Sequence, residues 1–266
     1  MKIQHDVHMH TYLSRCSNDP SFLPDEIIRR SKANGIKLLG FTDHFWDKSM
    51  PGGDNAVYRN QGMENVQKIH SMMPKSIEGI KILFGCETEY YGNGKVGISK
   101  ETAAKFDIVL VPTNHNLSAF ASEYGLRTPL QIAKELIKRF KEVLGFDVAT
   151  GICHPFLPLG FMEIGDKILN KMSREELTEC FFMAREKGVS IELNSCTFAN
   201  NYDRGTDGFT DASFLRIFRI AKETGVKFHF GSDAHSLDDI DRLQKLRPYI
   251  DELELTDEDI NPLFRV

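Results

Sequence analysis

Seven short apolar runs rich in β-formers recur along this chain, and longer amphipathic stretches separate them. The runs read KIQHDVH, IKLLGFTDH, KILFGCETE, FDIVLVPTNH, FDVATGICHP, VSIELNS and VKFHFGSDAH. Strands alternating with helices mean βαβ units and a parallel sheet. The helical stretches carry their own start and stop marks. PDEIIRRSKANG opens on Pro24, has Asp25 and Glu26 in its first turn, and stops at Gly35. SREELTECFFMAREKG starts at Ser173, carries Glu176 three residues on as a capping box, and ends at Gly188. DASFLRIFRIAKETG follows the same plan, with Asp211 as cap and Gly225 as stop, and TPLQIAKELIKRFKEV is a fourth helix. No glycine-rich dinucleotide loop follows the first run, which favours a closed, barrel-like sheet over a doubly wound one. Longer loops are expected over 45–59, 118–128 and 194–210.

The 266 residues are 41% hydrophobic and 27% charged, a balance and length that suit one large domain over 1–266. A formal charge of -5 gives no basic footprint, so long nucleic acid is not an expected partner, while a small phosphorylated substrate is compatible. Five scattered cysteines without a CxxC pair fit a reduced compartment, and the expected location is the cytoplasm. The start MKIQHDVHMH is polar, and no apolar run approaches ~18 residues, so neither a leader nor a membrane span is expected.

Nearly every run ends in a metal-binding residue type. The first ends in His8 and His10, which period-2 geometry puts on one face. The second ends in Asp43 and His44, the third in Glu87, the fourth in His115 and the fifth in His154. The sixth carries Glu192 and Asn194, and the seventh ends in Asp233 and His235. In a parallel barrel all C-terminal strand ends meet at one face, where active sites are built. Imidazoles suit zinc, iron and manganese, and a carboxylate can bridge two ions. His8, His10, His44, His115, His154 and His235 with Glu87 and Asp233 exceed what one tetrahedral ion needs, so two or three divalent ions are the economical reading. Glu192 and Asn194 are read as orienting the ligand imidazoles, and Asp43 as a cap of the next turn. His5, His70 and His229 are read as packed or surface residues, Cys86 and Cys153 as small core residues, Cys180 as helical, and GNGKVG as a turn.

The motifs HMHTYLS, GFTDH, GCE, NH, CHP and GSDAH, in this order and across nearly the whole chain, resemble those of the polymerase and histidinol phosphatase (PHP) family. The resemblance implies a distorted (β/α)7 TIM-like barrel with a di- or trinuclear metal site at the C-terminal strand ends, and phosphoester hydrolysis. It implies that His8, His10, Glu87 and Asp233 hold a first ion. Glu87 then bridges to a second, completed by His115 and His154, and His44 and His235 hold a third. Trinuclear members often carry a further His a few residues after the first pair. Here that stretch reads Ser14, Arg15, Cys16, which makes Cys16 a possible ligand. Glu87, Asp233 and His235 are the candidate catalytic residues, with Asp233 or His235 carrying a proton to the leaving alkoxide. Arg15 and Arg204 are candidate contacts for phosphate oxygens, because a guanidinium offers paired donors. A histidinol-phosphate-like monoester is the first expected substrate, and a phosphodiester or nucleotide the second. A metal-dependent amidohydrolase usually wants a bridging Lys after a middle strand, and none stands at the ends of the fourth and fifth runs. A non-catalytic metal-binding domain would be expected to have lost ligands, and the core set is complete.

Overall fold

The computed structural model describes residues 1–17, 19–52, 60–74, 77–198 and 208–266. In chain order the elements are β1 (His5–Met9), α1 (Pro24–Ala33), β2 (Leu38–Phe41), α2 (Met63–Met72), β3 (Lys81–Glu87), β4 (Tyr90–Gly92) and β5 (Lys95–Val96). They continue with α3 (Lys100–Ala103), β6 (Ile108–Leu110), α4 (Leu117–Glu123), α5 (Pro129–Gly145), β7 (Gly151–Ile152), α6 (Gly165–Leu169) and α7 (Arg174–Glu186). The last are β8 (Ser190–Asn194), α8 (Asp211–Thr224), β9 (Phe228–Gly231), a 3-10 stretch at Leu237–Leu246, and α9 (Arg247–Glu252).

Seven parallel strands form one sheet in the order β1-β2-β3-β6-β7-β8-β9, so neighbours in space are neighbours in sequence apart from the β4-β5 hairpin. The ends of that sheet meet. Met9 bridges Ala234 in parallel, the His10 N–H donates to the Ala234 carbonyl at 3.2 Å, and the Asp233 N–H donates to the His8 carbonyl at 2.9 Å. The result is a nearly closed (β/α)7 barrel. The residues of β1, β2, β6, β8 and β9 are buried throughout, as expected of strands covered on one side by helices and on the other by the barrel interior. The β1–β2 register shifts between Asp6 and Met9, which is where His8 sits.

The helices form where their caps predict. Thr128 with Gln131, and Ser173 with Glu176, make reciprocal capping boxes at the starts of α5 and α7. Gly225 ends α8 in the left-handed conformation that glycine adopts without a Cβ clash. Asp211 is the first helical residue of α8 rather than its cap, which is Thr210. The expected loop over 118–128 contains most of α4, a helix too short and Ser-rich to show a helical period. GNGKVG does turn, as the tip and second strand of the β4-β5 hairpin. Among the described residues, no helix is long and apolar enough to cross a membrane.

Candidate metal centre

Because every barrel strand runs the same way, β1, β2, β3, β6, β7, β8 and β9 all deliver their C-terminal residues to one end. The six expected imidazoles gather there around Glu87, which ends β3 and is buried. The Glu87 carboxylate lies 2.9 Å from His44 Nδ1 and 3.2 Å from His154 Nε2. It lies 3.5 Å from the Nε2 of both His8 and His115, and 3.6 Å from His10 Nε2. The rings form a closed circuit. Centroid separations are 5.2 Å from His8 to His10, 4.8 Å to His44, 5.6 Å to His115, 4.9 Å to His154 and 5.8 Å back to His8. His235 stacks on His10 at 4.3 Å. Asp233, from the turn after β9, places Oδ1 at 3.3 Å from His8 Nε2 and 3.2 Å from His10 Nε2.

The outer nitrogens of four imidazoles are already engaged. His8 Nδ1 meets Glu192 Oε1 at 2.8 Å, His10 Nδ1 meets the Ser14 hydroxyl at 2.8 Å, and His115 Nδ1 meets Glu89 Oε2 at 3.0 Å. His235 Nδ1 meets the Asp233 carbonyl at 2.7 Å. An acceptor at Nδ1 holds the ring proton there and leaves Nε2 as a lone-pair donor facing inward. His8 Nε2 is buried without a hydrogen-bond partner. Inward-facing nitrogens around buried carboxylate oxygens are the donor set that divalent ions satisfy, so the residues present fit a metal centre. Four groups place one ligand atom per residue with all those atoms within 4.8 Å of one another. They are His8, His10 and Asp233; His44, Glu87 and His115; His8, Glu87, Cys153 and His154; and His10, Cys16, His44 and His235.

The electrostatics express the same crowding. Burial pulls the His8 imidazole down, but Asp233, Glu192 and Glu87 outweigh it and hold it well above its ordinary value. Burial pushes Glu87 up, and the imidazoles of His115, His8 and His44 hold it well below the usual carboxylate range. His235 is raised to about 9, against its burial, by Cys16 and Asp233. Burial raises the Cys16 thiol, and hydrogen bonding with His235 and His44 brings it down to about 7. Asp233 and His154 also hold left-handed backbone, at φ 54° and 28°, a cost that side chains other than glycine bear chiefly at functional sites.

The supporting residues divide as follows. Glu192 is shared between His8 and the His154 N–H, which donates to Oε2 at 2.6 Å, and Asn194 Nδ2 donates to the same oxygen at 3.0 Å. Asp43 does not cap a turn of its own. Its carboxylate accepts the Thr11 N–H and hydroxyl, both at 2.8 Å, and so ties the end of β2 to the loop after β1. His5 stacks on Phe230 at 4.8 Å and His229 Nδ1 meets Ser190 Oγ at 2.9 Å, so both are packed residues, while His70 is an exposed residue whose ring stacks on Phe84 at 3.5 Å. Glu89, two residues after Glu87 and the alternative carboxylate of that run, holds His115 Nδ1 at 3.0 Å. One participant escaped the sequence reading. Cys153, read as core, lies 3.3 Å from Glu87 Oε1. Arg15 is exposed on the loop beside Cys16. Arg204 lies outside the described residues.

The model of the PHP domain matches residues 6–196 of this chain. A protein of Clostridium botulinum (strain Hall) named a probable phosphatase is 26% identical over 254 residues, covering 95% of this chain and 87% of the relative. One of Thermoanaerobacter sp. (strain X514), also named a probable phosphatase, is 27% identical over 259 residues, covering 97% and 89%. Among solved structures, a histidinol phosphate phosphatase from Lactococcus lactis, complexed with zinc, L-histidinol and phosphate, superimposes with a TM-score of 0.62. It is 19% identical, and the match covers 95% of this chain and 94% of that one.

Proposed function

Because the chain belongs to the PHP domain family, we propose that it is a metal-dependent phosphoesterase that hydrolyses a small phosphomonoester of the histidinol phosphate kind. One observation carries the reading: a closed circuit of imidazoles surrounds the buried Glu87 carboxylate at the strand ends of the barrel. The similarity to relatives named phosphatases supports it, as does the likeness to a fold that binds zinc, histidinol and phosphate. We assign His8, His10, Glu87 and Asp233 to a first ion, and Glu87, His115 and His154 to a second. His44 and His235 lie beside a third position. Zinc, iron and manganese all suit these donors. The unpaired state of all five cysteines supports a cytoplasmic setting, and the continuous core from Ile3 to Phe264 supports one domain over 1–266.

Bound divalent ions supply Lewis acidity, which neutralises phosphoryl charge and brings the pKa of water toward ~7. The protein's part is positioning and proton transfer. Glu192, Glu89 and Ser14 fix the His8, His115 and His10 rings, so the donors are arranged before substrate arrives. Asp233 and His235 stand at the solvent-facing edge, with side chains 16% and 30% exposed, whereas His8 and His10 are fully buried. A leaving alkoxide at the rim therefore meets these two groups, and with no ion at the third position His235, whose Nδ1 is held by the Asp233 carbonyl, offers Nε2 to carry the proton. Arg15 beside the rim is the proposed contact for phosphate oxygens.

Elemental analysis of gently purified protein, run with a phosphate-release screen over monoesters and diesters, tests the proposal. At least two transition-metal ions per chain and a preference for small monoesters are expected. Fewer than one ion, with no uptake on reconstitution, rejects the multinuclear centre, and faster diester cleavage rejects the substrate class.

A further inference from the structure

Helix α5 carries a guanidinium that the proposed chemistry does not use. Arg139 is fully buried, and the Glu135 carboxylate one turn earlier accepts its Nε–H at 2.9 Å. The guanidinium carbon sits 4.4 Å from the ring centroid of Phe120 on α4 and 5.9 Å from that of Tyr90 on β4. Nη1 donates to the Thr113 carbonyl at 3.2 Å and to Asn116 Oδ1 at 2.7 Å, so its two contacts bracket His115. Asn116 passes the hold on, since its Nδ2 donates to the Tyr91 carbonyl at 2.8 Å. Within the bracket, Asn114 Nδ2 donates to the carbonyls of His154 at 3.2 Å and Leu157 at 2.7 Å. Residues 113–116 therefore place both imidazoles assigned to the second ion. They contain His115, and through Asn114 they hold the left-handed turn at His154.

Stability alone is a poor account of this arginine. A buried ion pair recovers little beyond the cost of taking both charges out of water, and Nη2 is buried without a hydrogen-bond partner. What an apolar side chain could not supply is a rigid planar cation that takes its carboxylate with Nε and the loop with Nη1. We infer that Arg139 is a positioning residue for the second ion: it sets the 113–116 stretch so that His115 and His154 converge on Glu87. The inference rests on the metal-centre reading above. It adds a residue that touches neither ion nor substrate and serves one ion only. The rings of the first ion's His8 and His10 are fixed by Glu192 and Ser14, which Arg139 does not contact.

Arg139→Met combined with Glu135→Leu, in the full chain, removes both charges and keeps most of the volume, a change that buried ion pairs often tolerate without loss of stability. Zinc titration of the metal-stripped protein should show one ion at parental affinity and the other weakened about 10–100-fold. In a His115→Ala background the same pair of changes should not weaken the remaining ion further, which identifies the affected ion as the second. Hydrogen exchange of metal-free protein reads the positioning without any ion. The Leu117 and Phe120 amides, which donate to the Asn114 and Asn116 carbonyls, should exchange faster while α5 keeps its parental protection. Arg139→Lys keeps a cation beside Glu135 and guards against a double variant that does not fold. Its single ammonium cannot take the planar guanidinium's place on the loop, so the same selective loss is expected. Parental affinity for both ions in either folded variant overturns the inference. So does equal weakening of both, which would make Arg139 a general support of the barrel. An unaltered protein that takes up no second ion overturns the metal-centre reading itself, and this inference with it.

Discussion

Glu87 faces the imidazoles of His8, His10, His44, His115 and His154 at 2.9–3.6 Å, and a change there is felt by every assigned site. Glu87→Gln keeps the volume and removes the charge. It should lower phosphate release by several orders of magnitude and reduce the metal content, while circular dichroism stays that of the folded barrel. Glu89→Gln should do less, because Glu89 acts through His115 Nδ1. A loss of about 10–100-fold in metal affinity is the usual scale for such a partner. Near-normal activity in Glu87→Gln with inactivity in Glu89→Gln would place the bridging role on Glu89 instead. Most of the inward-facing set was legible, since His8, His44, Glu87, His115, His154 and Asp233 each sit at the end of an apolar run. Cys153 was not, because a cysteine inside an apolar stretch reads as packing, and only the fold shows its sulfur turned toward Glu87.

At the scale of the strand, the site needs room as much as ligands. A Cβ on Gly231, the last residue of β9, would come within 2.0 Å of Glu192 Oε1 and 2.5 Å of His8 Cβ. Gly231→Ala therefore forces apart the pair that orients His8. We expect about 1–3 kcal/mol of destabilisation in denaturant titrations and weaker metal binding; metal affinity equal to that of the unaltered protein would show that His8 does not depend on this pair. Lower on the same strand, burial holds His229 down from 6.5 to about 4, so the ring is neutral in the fold. Below pH 6.5 the unfolded chain takes up a proton that the fold refuses, so stability falls as the medium is acidified toward about pH 4. The slope of this one group is about 1.4 kcal/mol per pH unit. Asp6 works in the opposite sense, since burial raises it to about 7, so the test is the difference between the protein and His229→Gln. That difference should narrow on acidification in favour of the variant; a pH-independent gap would mean that His229 is charged in the fold. None of this was readable from VKFHFGSDAH, where His229 shows only as a mid-strand residue. The barrel itself was, because strand and helix alternation needs no side-chain detail. The α4 helix was missed because its seven residues span only two turns.

For the whole molecule, the ions and the fold are coupled. Without them, the carboxylates of Glu87, Glu192 and Asp233 are gathered at one end of the barrel among imidazoles whose protonation answers to pH. An ion present at a hundred times its dissociation constant stabilises the fold by about 2.7 kcal/mol, so removing two should cost roughly 5 kcal/mol. In a chain of this size the melting temperature should drop on the order of 10 °C on chelation and recover on adding zinc. An unchanged melting curve would mean that the ions bind without favouring the fold. The one-dimensional pattern could not reveal this coupling, because it depends on first and last strands meeting. That meeting, through Met9 and Ala234, also sets an order of events during synthesis. His10 leaves the ribosome 223 residues ahead of the Asp233 that it faces. A nascent chain that has emerged only as far as α8 already carries Glu87, His115 and His154, and of the carboxylates set against His8 and His10 it lacks Asp233 alone. The second ion therefore has its ligands while the barrel is still an open sheet, and the ligand set of the first ion is completed by Asp233 as a clasp on the finished ring. Contacts between residues so far apart in the chain form slowly, so capture of that ion marks the moment when a newly made molecule stops being a folding intermediate and becomes an enzyme.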